Sequence, residues 1–295
     1  MKGTPPAGSR TVLLGTTAPF SSAVFAQLVD AGVEFAAVAV DGAVDTAPIV
    51  TVSVNGHRET LPSLAAARGV PVRAAPRLDD GGFLGWLADL APDFLLVACF
   101  GQRLPAAVRA AARSDCLNLH PSLLPRYRGP APLFWQLRRG ETATGVSLHR
   151  VGPGIDTGPI VARAPLAFED GLDGTALAER CAAAGAGLFV ASLSAYRAGT
   201  IRAVAQDPAQ AESQPAPAAG DFRLSAAWPA RRIFNFMRGT GHWGQDYPIA
   251  IDGRDFLLRE ALGWSSTERL RRSCELRGRR IRVRCDPGVL EARLA

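Results

Sequence analysis

The chain has 295 residues, 47% hydrophobic and 20% charged, which describes an ordinary globular protein with enough apolar material for a substantial core and excludes extended disorder. Its formal charge of +6 is lopsided: from Asp221 onward there are 15 Arg against 9 Asp plus Glu, so the first 220 residues balance to about zero. Five cysteines, odd in number and without a C-x-x-C pair, argue against a disulfide framework or zinc ribbon and point to reduced thiols in a cytoplasmic protein.

The opening "MKGTPPAGSR" lacks the apolar stretch of a signal peptide. Short apolar runs then alternate with helical patterns. "TVLLGTT" precedes "SSAVFAQLVDAG", a helix with Ser21 or Ser22 as N-cap and Gly32 as C-cap. "FAAVAV" precedes "LPSLAAARG", "VPVRAAP" precedes "FLGWLADLAP", and "DFLLVACF" precedes "PAAVRAAARS", a helix starting at Pro105. "CLNLH" closes the series. Strands alternating with helices of this length predict an α/β fold, a Rossmann-like, doubly wound and mostly parallel sheet.

Further on, "GPIVARAPLAF" reads as another strand and "GLDGTALAERCAAAGAGLFVASLSAYRAG" as a long helix. Glu179 and Arg180 make that helix a packed element rather than a membrane span, and no membrane association is expected. "AQDPAQAESQPAPAAGD" has linker composition, which divides the chain into a first domain over residues 1–204, a linker over 205–220 and a second domain over 221–295. In the second domain "ARRIFNFMRG" has helical spacing of Ile233, Phe236 and Met237. The alternations "YPIAIDGRDFLLREAL" and "RGRRIRVRC" predict a small β-rich module with a turn at Asp252-Gly253, and Trp228 and Trp243 are expected in its core.

The first strand ends "GTTAPF" rather than G-x-G-x-x-G, and no Walker, G-x-S-x-G or H-E-x-x-H sequence occurs. The polar residues that stand out are Asn118 and His120, two apart at the end of the fifth strand and so on one face of it, and Asp156 in "VGPGIDTGPIV". In open α/β sheets ligands bind beyond the carboxyl ends of the strands. An amide that can donate to an oxyanion, an imidazole that can carry a proton and a carboxylate that can orient it suffice for acyl transfer if the substrate supplies the nucleophile. No metal ligand set is implied.

The run "NLHPSLLPRYRGPAPLFWQLRRGETATGVSLHRVGPGIDTGPIV", with "FGQRLP" upstream and "GTTAPFSSAVFAQLVDAG" near the start, resembles the formyltransferases that use 10-formyltetrahydrofolate, above all the methionyl-tRNA formyltransferases. The resemblance implies a catalytic first domain, a smaller OB-like C-terminal domain and a triad of Asn118, His120 and Asp156. Asn118 and protonated His120 would stabilise the tetrahedral oxyanion, and Asp156 would support His120 and assist proton transfer from the attacking amine to the folate nitrogen. The folate would lie between Phe100, Gly101 and Leu104 on one side and Val151, Gly152, Pro153, Gly154 and Ile155 on the other. Ser122, Leu123, Leu124 and Pro125 would form the loop beside the formyl group.

Where the tRNA-directed members carry a basic loop after the second strand, this chain has "VDGAVDTAPIVTVSVNGHRETLPS", with Asp41, Asp45 and Glu59 against Arg58 alone. Gly152 stands where the family carries an acidic residue, and the C-terminal module is short. The expected acceptor is therefore a small-molecule amine, an amino-sugar nucleotide or a hydroxylated amino acid. Charged initiator tRNA, gripped through the C-terminal arginines, is the alternative, those arginines being the expected contact for either tRNA or the phosphates of a nucleotide, and a formyl-folate hydrolase is a more remote one.

Overall fold

The computed structural model of the chain describes residues 8–42 and 60–295, so the part of the loop reading that rests on Asp45, Arg58 and Glu59 falls outside the described residues. Within them the alternation read from the sequence is present: β1 (Thr11–Gly15), α1 (Pro19–Asp30), β2 (Phe35–Val40), α2 (Leu61–Ala67), β3 (Val72–Ala74), α3 (Gly81–Leu90), β4 (Phe94–Ala98), α4 (Ala106–Ala110) and β5 (Asp115–His120). Two elements not anticipated follow, α5 (Pro132–Arg139) and β6 (Ala143–Arg150), before β7 (Ile160–Ala167) and α6 (Gly174–Arg197). The seven strands form one sheet in the order β3-β2-β1-β4-β5-β6-β7. Strands β1 to β5 pair in parallel, and β6 runs antiparallel to β5.

Strands β1 and β4 are buried at every position, as the unbroken apolar runs of a parallel sheet covered on both faces require. The order reverses between β1 and β4, the crevice where ligands of such sheets bind. Helix α1 begins differently from the expectation: Ala18 is the N-cap and Pro19 the first helical residue, a position its fixed φ suits. Ser21 lies inside the helix, where its Oγ accepts from Thr16 N and donates to Ala98 O, joining the ends of β1 and β4. Gly32, at φ 78°, sits just beyond the helix end in the left-handed region. Pro105 is the N-cap of α4 rather than its first residue.

By length and composition α6 could cross a membrane. Here its Cys181, Ala182, Ala186 and Phe189 are buried. Gly185 lies against Leu119 of β5 and Val146 of β6, with no room for a larger side chain unless they shift. Phe189 and Tyr196 also meet Phe94 of β4 edge-on, at 5.5 and 5.0 Å between ring centres.

The chain divides into two compact units, one comprising Met1–Pro130, Gly145–Pro165 and Ala178–Ser213, the other Ala131–Thr144, Leu166–Leu177 and Gln214–Ala295. The stretch read as a linker, 205–220, is thus shared between them. The second unit holds α7 (Ala230–Thr240) and an antiparallel sheet in the order β10-β11-β12-β9-β8, built from β8 (Tyr247–Ile251), β9 (Arg254–Ser265), β10 (Cys274–Arg277), β11 (Arg280–Arg284) and β12 (Val289–Leu294). Asp252 and Gly253 both have positive φ, the conformation of the tight turn expected between β8 and β9. Ile233, Phe236 and Met237 are buried as their spacing predicts.

Neither tryptophan is fully buried. Trp243 is 39% exposed at the rim of a cluster with Phe134 and Phe222, and half-buried Trp228 lies under the guanidinium groups of Arg138 and Arg232.

Candidate active site

Strand β5 ends with Asn118 half-buried and His120 4% exposed, and the loop after β6 brings Asp156 to them. Asn118 Nδ2 donates to Asp156 Oδ1 at 3.1 Å. His120 Nδ1 lies 3.6 Å from Asp156 Oδ2. Asn118, His120 and Asp156 therefore meet in one cluster, Asp156 hydrogen-bonded to Asn118 and within ion-pair distance of His120.

The structure adds His149 of β6, which that reading passed over. Its Nε2 is 3.0 Å from Asn118 Nδ2, and its Nδ1 is 2.9 Å from Arg150 O. A carbonyl can only accept, so the Nδ1 of His149 carries the proton and Nε2 accepts from the Asn118 amide. Both amide hydrogens of Asn118 are then engaged, one by a neutral imidazole and one by a carboxylate.

The same logic fixes His120. Its Nε2 lies 2.8 Å from Tyr127 O and must donate there, which leaves Nδ1 facing Asp156. Burial pushes the imidazole below its ordinary value, against the pull of the Asp156 charge. Burial pushes the Asp156 carboxyl up, but the His120 ring, the His149 ring and the Gly129 N–H outweigh it and hold it well below the usual carboxylate range. The Gly129 N–H donates to Asp156 Oδ2 at 2.8 Å. The resting site is thus a neutral imidazole beside an ionised carboxylate.

Tyr127 and Asp156, which supply the carbonyl and the carboxylate that flank His120, both adopt left-handed backbone at φ 61° and 52°. Such conformations cost a non-glycine residue about 1–3 kcal/mol and persist only where surrounding contacts impose them.

Of the residues expected to wall a folate, Leu104, Phe100 and Val151 pack in one apolar cluster with Leu95 and Val97 of β4. Gly101 N donates to Asp41 Oδ2 at 3.1 Å, and a side chain at Gly101 would collide with that carboxylate. Ser122 and Leu124 are buried and pinned to Ser147 of β6: Ser147 Oγ donates to Ser122 O at 2.7 Å and accepts from Leu124 N at 3.0 Å. Leu123 projects outward at 37% exposure, and the peptide between Leu124 and Pro125 is cis. Val151 N donates to Cys116 O, Gly152 and Gly154 are half-buried, Pro153 is exposed and Ile155 is 55% exposed. Among the described residues, no group of three His, Cys, Asp or Glu is arranged to hold a metal ion.

A formyl transferase family profile matches residues 16–193, a span that contains all four polar residues of this cluster. The chain belongs to the formyl transferase family. Among curated relatives, the methionyl-tRNA formyltransferase of Anaeromyxobacter sp. (strain K) is 36% identical over 197 residues, covering 67% of this chain and 63% of the relative. That of Thermodesulfovibrio yellowstonii is 32% identical over 207 residues, covering 70% and 66%. The chain thus aligns over less than two thirds of either relative's length. Among solved structures, an N-formyltransferase from Helicobacter canadensis, in complex with folinic acid and dTDP-3-aminofucose, superposes with a TM-score of 0.67 at 14% identity, covering 96% of this chain and 98% of that one. At that identity the likeness shows the fold, a mostly parallel seven-stranded sheet with a C-terminal antiparallel sheet of five strands.

Proposed function

We propose that the protein transfers the formyl group of 10-formyltetrahydrofolate to the primary amine of a small molecule, an amino-sugar nucleotide or a hydroxylated amino acid. The convergence of Asn118, His120 and Asp156 at the carboxyl end of β5 carries the reading. Phe100 and Val151, half-buried against the core cluster that holds Leu104, would offer an apolar wall for a flat heterocycle, and the Ser122–Pro125 loop lies immediately after His120.

In the reaction a bond forms between the acceptor nitrogen and the formyl carbon, and the bond from that carbon to the folate nitrogen breaks. Asn118 meets the negative charge that develops on the formyl oxygen by exchanging its weak acceptor, the neutral His149 ring, for a charged one. His120, expected to act protonated beside the oxyanion, is instead neutral at rest because burial lowers its pKa; it takes up the amine proton, helped by the adjacent Asp156 charge, and the proton ends on the leaving folate nitrogen.

Charge supports the small-molecule reading. On the C-terminal sheet many arginines face acidic partners: Arg280 meets Glu291, Arg282 meets Glu275 and Glu268, Arg293 meets Glu260, and Arg259 meets Asp246. Each pair withdraws a positive charge that a phosphate backbone would otherwise use. The second reading, charged initiator tRNA, is favoured by what the relatives at 32% and 36% identity are named for.

A turnover assay with 10-formyltetrahydrofolate and a panel of amino-sugar nucleotides, hydroxylated amino acids and charged initiator tRNA distinguishes the two. Turnover with a small amine and none with tRNA is the expected result. Fast, salt-sensitive turnover with tRNA alone would establish the second reading, and formate release without any acceptor would indicate a hydrolase.

A further inference from the structure

Gln206 lies in the Ala- and Pro-rich stretch read as a linker, yet it is only 9% exposed. Its Nε2 donates to Asp156 O at 2.7 Å and to Gly158 O at 2.8 Å. Its Oε1 accepts from Arg128 Nε at 3.1 Å and from a terminal guanidinium nitrogen of Arg128 at 2.8 Å. Every hydrogen-bonding capacity of the amide is filled, and its orientation is fixed because a guanidinium can only donate and a carbonyl can only accept.

The two ends of this chain of contacts matter. Asp156 holds a left-handed backbone, φ 52°, that the surroundings must impose. Arg128 sits between Tyr127, whose carbonyl accepts the hydrogen bond from His120 Nε2, and Gly129, whose N–H donates to the Asp156 carboxylate. Its main chain is fixed in turn by the segment that carries Gln206: Arg128 N donates to Glu212 O at 2.8 Å, and Glu212 N to Pro125 O at 3.1 Å. One side chain thereby links the loop after β5 to the loop bearing Asp156.

We propose that Gln206, oriented by the Arg128 fork, is a positioning residue that fixes the Asp156 loop and so the carboxylate against His120 and Asn118. The inference rests on the formyl-transfer reading for its kinetic part but not for its structural part. Gln206 bonds to the main chain at Asp156 and Gly158, beyond the Val151–Ile155 stretch expected to wall the folate, so its loss falls more heavily on turnover than on folate affinity.

The test compares Gln206→Met, Arg128→Met and the double variant in the full chain. Three readouts are taken: thermal unfolding, amide hydrogen exchange of residues 150–160, and kcat and KM for 10-formyltetrahydrofolate. Either single substitution is expected to raise exchange in 150–160 selectively and to lower kcat by about a hundredfold, the usual effect of an ångström-scale misplacement. The fall in kcat should exceed any rise in KM, and the double variant should lose no more than the worse single one, because both act through one contact chain. Unchanged exchange in 150–160, or additive losses, would overturn the proposal. If the wild-type chain turns over no acceptor, the functional reading fails, and the exchange pattern alone decides the positioning claim. If Gln206→Met does not fold, Arg128→Met decides it.

Discussion

The side-chain amide of Asn118 donates to Oδ1 of Asp156 at 3.1 Å across 38 residues of sequence, and the same nitrogen reaches His149 Nε2 at 3.0 Å. Removing that amide leaves the strand intact but takes away the donor aimed at the formyl oxygen. Asn118→Ala is expected to fold with a lowered melting temperature, since Asp156 Oδ1 and His149 Nε2 lose their donor, and to lose ~3 kcal/mol of transition-state stabilisation, roughly a hundredfold or more in kcat. Steady-state kinetics beside a thermal melt checks both halves, and turnover near wild type would remove Asn118 from the mechanism.

His149 is buried and makes two hydrogen bonds, to Arg150 O and to Asn118. Replacing it by Leu strands that carbonyl and frees the Asn118 amide to rotate. His149→Leu should cost about 1–3 kcal/mol of stability and lower kcat in addition. Urea unfolding and kinetics on one preparation separate the effects, and a stability loss with kcat unchanged would confine His149 to a packing role.

The pH dependence has a definite sign. His120 is held below its ordinary value of about 6.5, so just below that pH the unfolded chain binds the proton and the folded chain does not. Stability is therefore lost as pH falls from about 6.5 towards the folded value. Asp156 is also depressed, but its contribution is lost only as pH falls below about 3.9. Unfolding free energies at pH 7 and 5.5 should differ more in the wild type than in His120→Gln. With neutral His120 as the proton acceptor, kcat/KM should fall on an acid limb lying below 6.5. A limb above 7 would contradict this.

Gly158 carries a geometric demand rather than a chemical one, since a Cβ there would collide with Arg150 O. Gly158→Ala must push the Asp156 loop away from β6 and is expected to destabilise the chain by at least about 2 kcal/mol. A calorimetric melt measures this directly, and an unchanged melting temperature would mean the loop has an alternative packing.

Much of the fold was legible because the strands of a doubly wound sheet are unbroken apolar runs; β1 and β4 announce themselves. Strand β6 did not, since "ATGVSLHR" is short of apolar residues on both faces and continues α5 after a brief turn. Asn118 and His120 were visible through their two-residue spacing and Asp156 through its Gly- and Pro-rich surroundings. His149 was missed because only the fold brings its ring to Asn118. Gln206 was hidden by composition: a stretch of Ala, Pro, Gln and Ser gives no sign that one amide turns inward to bond two carbonyls.

The most direct test of formyl transfer through this site is a single-turnover experiment with 10-formyltetrahydrofolate labelled with carbon-13 in the formyl group, run with the acceptor panel on the wild type and on Asp156→Asn. The label is expected to appear in an amide of one acceptor, in step with tetrahydrofolate release, and Asp156→Asn to fold and bind folate but slow transfer severely. No labelled amide with any acceptor, or equal transfer by the wild type and Asp156→Asn, would contradict formyl transfer through this site.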